Sequence, residues 1–299
     1  MRMILTAIAV FAVALSACGS NSDTSQAELP SVVVTTSIAG DMVTAALGDL
    51  VGSKLTVDVI TPVGADAHEF APSAKQAETM ENADLLVVSG LGYEEGMTDL
   101  IANAMDAGAV TFVLGGALEP SEGVDPHVWL DPVLMSEVFA TFPEAVASTT
   151  GVPIADVRTN TSAYVAELVE LDATITAAFA AYPDLQRSLV TSHDALSRFA
   201  ERYGFTIVDT IIPSVSTSAG ASAADLDGVL EAIRTNDVRA IFSETTESDA
   251  LAQAISDEIG RDVPVIELFT ESLGEPGNGA DTYIGMMATN AQLIADALS

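Results

Sequence analysis

All three histidines of this 299-residue chain stand in short phrases rich in carboxylates: Gly64-Ala65-Asp66-Ala67-His68-Glu69-Phe70, Asp125-Pro126-His127-Val128-Trp129-Leu130-Asp131-Pro132, and Thr191-Ser192-His193-Asp194. Imidazole is the commonest protein ligand for zinc and also binds other first-row divalent metals. Three imidazoles and one oxygen donor would make a closed four-coordinate set, with no position left for an activated water. The residue types therefore point to holding a metal rather than to hydrolysis at one. Asp66 and Glu69 adjoin His68, Asp125 and Asp131 adjoin His127, and Asp194 adjoins His193. Such groups can orient a ligating imidazole through its second nitrogen. In a chain with 43 acidic residues, adjacency alone is weak ground.

The elements that must position these residues alternate. Short β-rich runs at Val32 to Thr36, Leu55 to Ile60, Leu85 to Ser89 and Val110 to Leu114 are separated by helical patterns at Ile38 to Leu47, Ser73 to Asn82 and Met97 to Ala107. The rhythm returns with strands near Leu189 to Ser192, Thr206 to Ile211, Ala240 to Ser243 and Val263 to Leu268, and helices over Ser222 to Thr235, Ser248 to Ile259 and Asp281 to Leu298. This is an α/β pattern with mainly parallel strands. Asp131-Pro132 predicts a capped helix start, with the helix running to about Ala147. Between the two halves, Val157, Tyr164, Leu168, Leu171, Ile175 and Phe179 fit one apolar stripe on a helix from about Ile154 to Ala180. At 1.5 Å per residue it would be roughly 40 Å long, enough to join two lobes. His193 would follow a strand end, where open α/β sheets bind ligands. His68 would sit on a Gly-containing loop and His127 just before the Asp131 cap.

The expected organisation is a signal over 1–17, a tether over 18–29, a first lobe over 30–152, a linking helix over 153–181 and a second lobe over 182–299. The N-terminus carries Arg2, an apolar run from Met3 to Leu15, then Ser16-Ala17-Cys18. That order is a secretory signal, too short to span a bilayer comfortably. It resembles a bacterial lipoprotein signal cleaved before Cys18, the sole cysteine, so lipidation at Cys18 and anchoring outside the cytoplasmic membrane or in the periplasm are expected. With 10 basic residues against 43 acidic ones, the net charge of −33 excludes nucleic acid as a partner and suits a strongly solvated surface. No Gly-rich phosphate loop is present.

The phrases also carry a family resemblance. Gly64 to Ser73, the Asp125 to Pro132 phrase, Ser192-His193 with Phe199 to Phe205, Ile241-Phe242-Ser243-Glu244, Asn82 to Leu85 with Gly90 to Glu94, and Asp281-Thr282-Tyr283 with Met286-Met287 resemble the zinc/manganese solute-binding lipoproteins of ABC importers. The resemblance covers essentially the whole mature chain. It implies two α/β lobes joined by one long helix, metal in the cleft between them, delivery to an ABC permease, and no catalysis. It assigns His68, His127 and His193 as ligands, Asp281 as the fourth, and Glu244 as a supporting glutamate. A monomer is expected. Two departures bear on the reading: Asp66-Ala67-His68 replaces the usual Asp-Pro-His, and Glu119 to Val124 lacks the histidines of many zinc-dedicated relatives. Manganese importers tend to have a glutamate where His193 stands. A nitrogen-rich ligand set favours Zn2+ over Mn2+. Release would separate His193 and Asp281 from His68 and His127. The alternatives are a secreted zinc hydrolase with Glu69 or Glu244 as base, or a metal-binding adhesion lipoprotein; the helical His-Glu-x-x-His phrase of the former is missing.

Overall fold

Runs of β-branched and aliphatic residues form the strands of the computed structural model, which describes residues 28–118, 124–182 and 186–299. The expected signal, Cys18 with the tether to residue 27, and residues 119–123 of the Glu119 to Val124 segment lie outside the described residues. In the first lobe, β1 (Ser31–Val34), β2 (Thr56–Val59), β3 (Leu85–Val88) and β4 (Val110–Val113) form a wholly parallel sheet in the order β2-β1-β3-β4. In the second, β5 (Ser188–Thr191), β6 (Thr206–Thr210), β7 (Ile241–Glu244) and β8 (Val265–Leu268) repeat it as β6-β5-β7-β8, again parallel. Helices α1 (Ser37–Leu47), α2 (Ala74–Glu81), α3 (Thr98–Ala107) and α4 (Pro132–Thr150) belong to the first half of the chain. Helices α6 (Ser197–Tyr203), α7 (Ala223–Thr235), α8 (Ala250–Ile259) and α9 (Tyr283–Leu298) belong to the second.

The helix expected between the lobes is α5 (Ile154–Ala180). Val157, Thr161, Tyr164, Leu168, Leu171, Ile175 and Phe179 are its buried residues, spaced three or four apart as one helical face requires. It packs on α1, α4 and α9. One apolar core runs through Val32 and Val87 of the first sheet, Leu189 and Phe242 of the second, the α5 stripe, and Met286 and Met287 of α9. The last helix, placed with the second lobe by its position in the chain, thus also packs against α1 and α5. A wide separation of the lobes would expose this shared core, at about 25 cal/mol per Å2 of apolar surface.

Local differences from the expected elements have local causes. Helix α4 begins as predicted, with Asp131 Oδ1 accepting from Val133 N (2.9 Å) and Leu134 N (3.2 Å), but it runs past Ala147 to Thr150. It stops where Gly151 takes a left-handed conformation at φ 71°. Helix α9 starts at Tyr283, not Asp281, because Thr282 is the cap: its side chain accepts from Gly285 N. Among the described residues no helix is long and apolar enough to cross a membrane.

Candidate metal centre

The carboxyl ends of both sheets face the cleft, and the functional side chains come from there. His193 lies two residues beyond β5, Glu244 is the last residue of β7, and Glu271 lies three residues beyond β8. His68 and His127 come from longer connections after β2 and β4 and need separate anchoring. His68 N donates to Asp66 Oδ1 (2.8 Å), and the His68 carbonyl accepts from Gly96 N (2.9 Å). Gly96 lies so near that a Cβ there would be 2.4 Å from the Phe70 carbonyl oxygen. His127 N donates to Asp125 Oδ1 (2.9 Å), and the same oxygen is 2.7 Å from His127 Nδ1. An aspartate two residues ahead therefore fixes each loop histidine.

The three imidazoles meet through their Nε2 atoms. His127 Nε2 is 3.3 Å from His68 Nε2 and 3.4 Å from His193 Nε2. The carboxylate that joins them is Glu271, not the expected Asp281: Glu271 Oε1 lies 3.2 Å from His127 Nε2 and 3.6 Å from His193 Nε2. Its other oxygen, Oε2, is 3.8 Å from His68 Nε2 and accepts from Tyr93 Oη at 2.5 Å. All four residues are buried. Asp281 is exposed, and its Oδ2 accepts from Gly277 N (2.8 Å), which turns it into its own loop. Glu271 was legible in principle, since Leu268-Phe269-Thr270-Glu271 leaves a strand end just as Thr191-Ser192-His193 does.

Behind the cluster, each histidine meets a different Nδ1 neighbour. Asp125 serves His127. Glu244 Oε1 lies 2.6 Å from His193 Nδ1, a close contact rather than a well-aimed hydrogen bond, and also accepts from Ser192 Oγ (3.3 Å). Glu95, partly exposed, stands 3.6 Å from His68 Nδ1. Of the carboxylates adjoining the histidines in sequence, Asp66 holds backbone, Asp131 caps α4, Asp194 accepts from Ser197 Oγ, and Glu69 is exposed. The lobes are tied beside Glu271: Trp129 Nε1 donates to the Thr270 carbonyl (2.8 Å), Gly64 N to Ser272 Oγ (2.7 Å), and Arg198 Nε to the Asp125 carbonyl (3.0 Å).

These contacts set the charge balance. Burial works against ionising His127, but Glu271 and Asp125 outweigh it and raise its pKa to about 10. Burial likewise opposes ionisation of Glu271, while His127, His193 and His68 hold it down at about 2. His193 is raised, burial being overcome by Glu244 and Glu271, whereas burial leaves His68 lowered. Glu247 is raised to about 7 by burial and by Glu244. Without metal, the cluster thus pairs an ionised Glu271 with a protonated His127.

Two parallel α/β lobes bridged by a long helix, with three imidazoles and a carboxylate converging in the cleft, define a two-lobed binding protein. The chain belongs to the family described as zinc-uptake complex component A, periplasmic, whose model matches residues 32–297. The manganese-binding lipoprotein MntA of Halalkalibacterium halodurans is 30% identical over 297 residues, 98% of this chain and 97% of its own. The iron ABC transporter substrate-binding lipoprotein MtsA of Streptococcus pyogenes is 27% identical over 309 residues, 95% of this chain and 94% of its own. The solved structure of the periplasmic zinc binding protein TroA from Treponema pallidum superposes with a TM-score of 0.82 at 27% identity, covering 91% of this chain and 99% of that one.

Proposed function

We propose that this chain is the extracytoplasmic metal-capturing component of an ABC importer, holding one divalent transition metal on His68, His127, His193 and Glu271 and yielding it to a membrane permease. Zinc is the favoured cargo over manganese. The observation that carries the choice is the donor spacing. Four tetrahedral donors about 2.0–2.1 Å from zinc lie about 3.3–3.4 Å from one another. The Nε2 pairs at 3.3 and 3.4 Å and the His127–Glu271 pair at 3.2 Å approach that edge length, while the His193–Glu271 pair is longer at 3.6 Å. Tyr93 occupies Glu271 Oε2 and leaves Oε1, which has no hydrogen-bond partner among the described residues, for the ion. The carboxylate then binds through one oxygen, giving a closed four-coordinate site. Manganese favours more oxygen donors.

The relatives' names cite manganese, iron and zinc, so membership of the family does not choose the metal. Donor spacing, together with the nitrogen-rich donor set, supplies the choice. The same closed set argues against a hydrolase, and the two bases such a reaction would use are poorly suited: Glu69 is exposed, and Glu244 Oε1 faces His193 Nδ1. Release requires His193 and Glu271 to part from His68 and His127. Because the lobes share a core, we expect a small shift rather than a wide opening. Lipidation at Cys18 would keep the monomer at the outer face of the membrane.

Competitive titration of metal-free protein tests the reading. One zinc per chain, held more tightly than manganese and lost in His127→Ala, is expected. Equal affinity for both metals would remove the zinc preference, and a His127→Ala protein with unchanged zinc affinity would remove the site.

A further inference from the structure

A small cavity of about 30 Å3 lies against Glu244, whose Oε1 stands 2.6 Å from His193 Nδ1; Ile211, Ile212, Leu251 and Ala252 form its apolar walls. That is room for one water or one ion. Its polar walls include Ser192, Ser243, Glu244, Glu247 and Asp249. His193 stands behind Glu244 rather than in the cavity wall, with Nε2 toward His127 and Glu271 and Nδ1 toward Glu244 Oε1. Glu244 is 3% exposed, and its second oxygen, Oε2, has no hydrogen-bond partner among the described residues. A buried carboxylate oxygen left without a donor is costly. The buried Ser243 Oγ is likewise unpartnered. Half-buried Glu247 adds a second carboxylate, so that donor atoms of His193, Glu244 and Glu247 lie within 4.8 Å of one another. Neither glutamate has a lysine or arginine partner among the described residues.

We infer that Glu244 Oε2 and the Glu247 carboxylate form a second, outer cation site that adjoins the inner cluster through the Glu244–His193 contact and takes a hard divalent ion of the manganese or calcium type. The chemistry follows from the donors. Two carboxylates, serine hydroxyls and water are all oxygen, the set that hard cations prefer, in contrast to the imidazole-rich cluster on the other face of His193. Carboxyl groups of Glu244, Glu247 and Asp249 face one cavity, negative charge enough to match one dication once Glu247 is ionised. Glu244 can serve both sites, because Oε1 stays on His193 while Oε2 remains free. The inference does not depend on which metal the inner site takes.

The test uses full-length protein loaded with one equivalent of zinc and titrated with Mn2+ in about 1 M salt, where the Debye length of about 3 Å screens attraction to the acidic surface. Bound Mn2+ is counted by electron paramagnetic resonance, and retained zinc is measured in parallel. The expected result is one additional Mn2+ per chain, weakened at least tenfold in Glu247→Gln, with zinc unchanged in both proteins. No manganese beyond the zinc, or a second ion indifferent to Glu247→Gln, would overturn the outer site. Loss of zinc from the unmutated protein would instead count against the proposed inner site, while the dependence of Mn2+ on Glu247 would still decide the outer one. Anomalous scattering at the manganese edge should place the added ion between Glu244 and Glu247; density elsewhere would contradict the assignment.

Discussion

The two lobes have sheets of the same strand order, yet they deliver their side chains to the cleft differently. The second lobe works from strand ends: His193, Glu244 and Glu271 sit at or within three residues of β5, β7 and β8. The first lobe works from loops, with His68 nine residues beyond β2 and His127 fourteen beyond β4. A strand end is held by its hydrogen-bonded ladder and needs little local support. A side chain on a loop must be fixed by its own contacts, and Asp66 and Asp125 provide them, each two residues ahead of its histidine. The Asp-x-His phrases are thus the first lobe's substitute for a strand end. This also explains why Ala67 can replace the usual proline: the Asp66 hydrogen bond to His68 N is retained without it.

The largest effect should come from the strand-end carboxylate. Glu271→Ala removes the only oxygen donor of the cluster and should lower zinc affinity by more than the roughly 10–100-fold expected from losing a partner behind a ligand. Asp281→Ala should leave zinc affinity unchanged. Isothermal titration of the two variants reads the difference directly, and the opposite ranking would return the fourth ligand to Asp281.

Next come the supports. Asp125→Ala removes both the backbone anchor and the Nδ1 partner of His127, and should cost about 100-fold in zinc affinity; Glu244→Gln acts on a strand-end histidine and should cost about tenfold. Equal losses would show that loop and strand-end ligands are held alike. Circular dichroism on both variants separates loss of binding from loss of fold.

pH dependence follows from the charge balance. In the metal-free protein His127 holds a proton up to about pH 10. Binding must expel it, so affinity should rise about tenfold per pH unit between 7 and 9. The slope should steepen at lower pH where His193, also raised, carries a proton. His68, lowered by burial, contributes only under more acid conditions. Affinity that is flat above pH 7 would remove the His127–Glu271 pairing. The free-histidine value of about 6.5 alone would have placed the onset far lower.

The smallest predicted change is in selectivity. Tyr93→Phe frees Glu271 Oε2 to reach the ion and should improve manganese binding relative to zinc by a few fold, with zinc still bound. An unchanged ratio of the two affinities, measured by competition, would mean that Tyr93 only packs.

Much of this architecture was legible in the chain. The α5 stripe is long and regular, so its period identified the helix to the residue, and the alternation of short strands with helices gave both lobes. The histidines were legible because there are only three. Glu244, expected as support, has Oε1 2.6 Å from His193 Nδ1, and its role there belongs to the proposal. One carboxylate among 43 has no signature of its own, and what distinguishes Glu271 is the geometric fact that it leaves β8 at the edge where β5 delivers His193. Asp281 is the carboxylate the resemblance implies, near the start of the last helix, where Thr282 is the cap. Tyr93 falls in the Gly90 to Glu94 phrase of the resemblance, but its contact with Glu271 arises only when the turn after β3 meets the turn after β8.

The central claim is that the ion sits in a closed set of three imidazoles and one carboxylate oxygen. X-ray absorption at the zinc edge of the loaded protein tests it most directly. The account predicts four nearest neighbours at about 2.0–2.1 Å with the multiple scattering of three histidine rings; a shell of six oxygen-dominated neighbours at longer distance would contradict it.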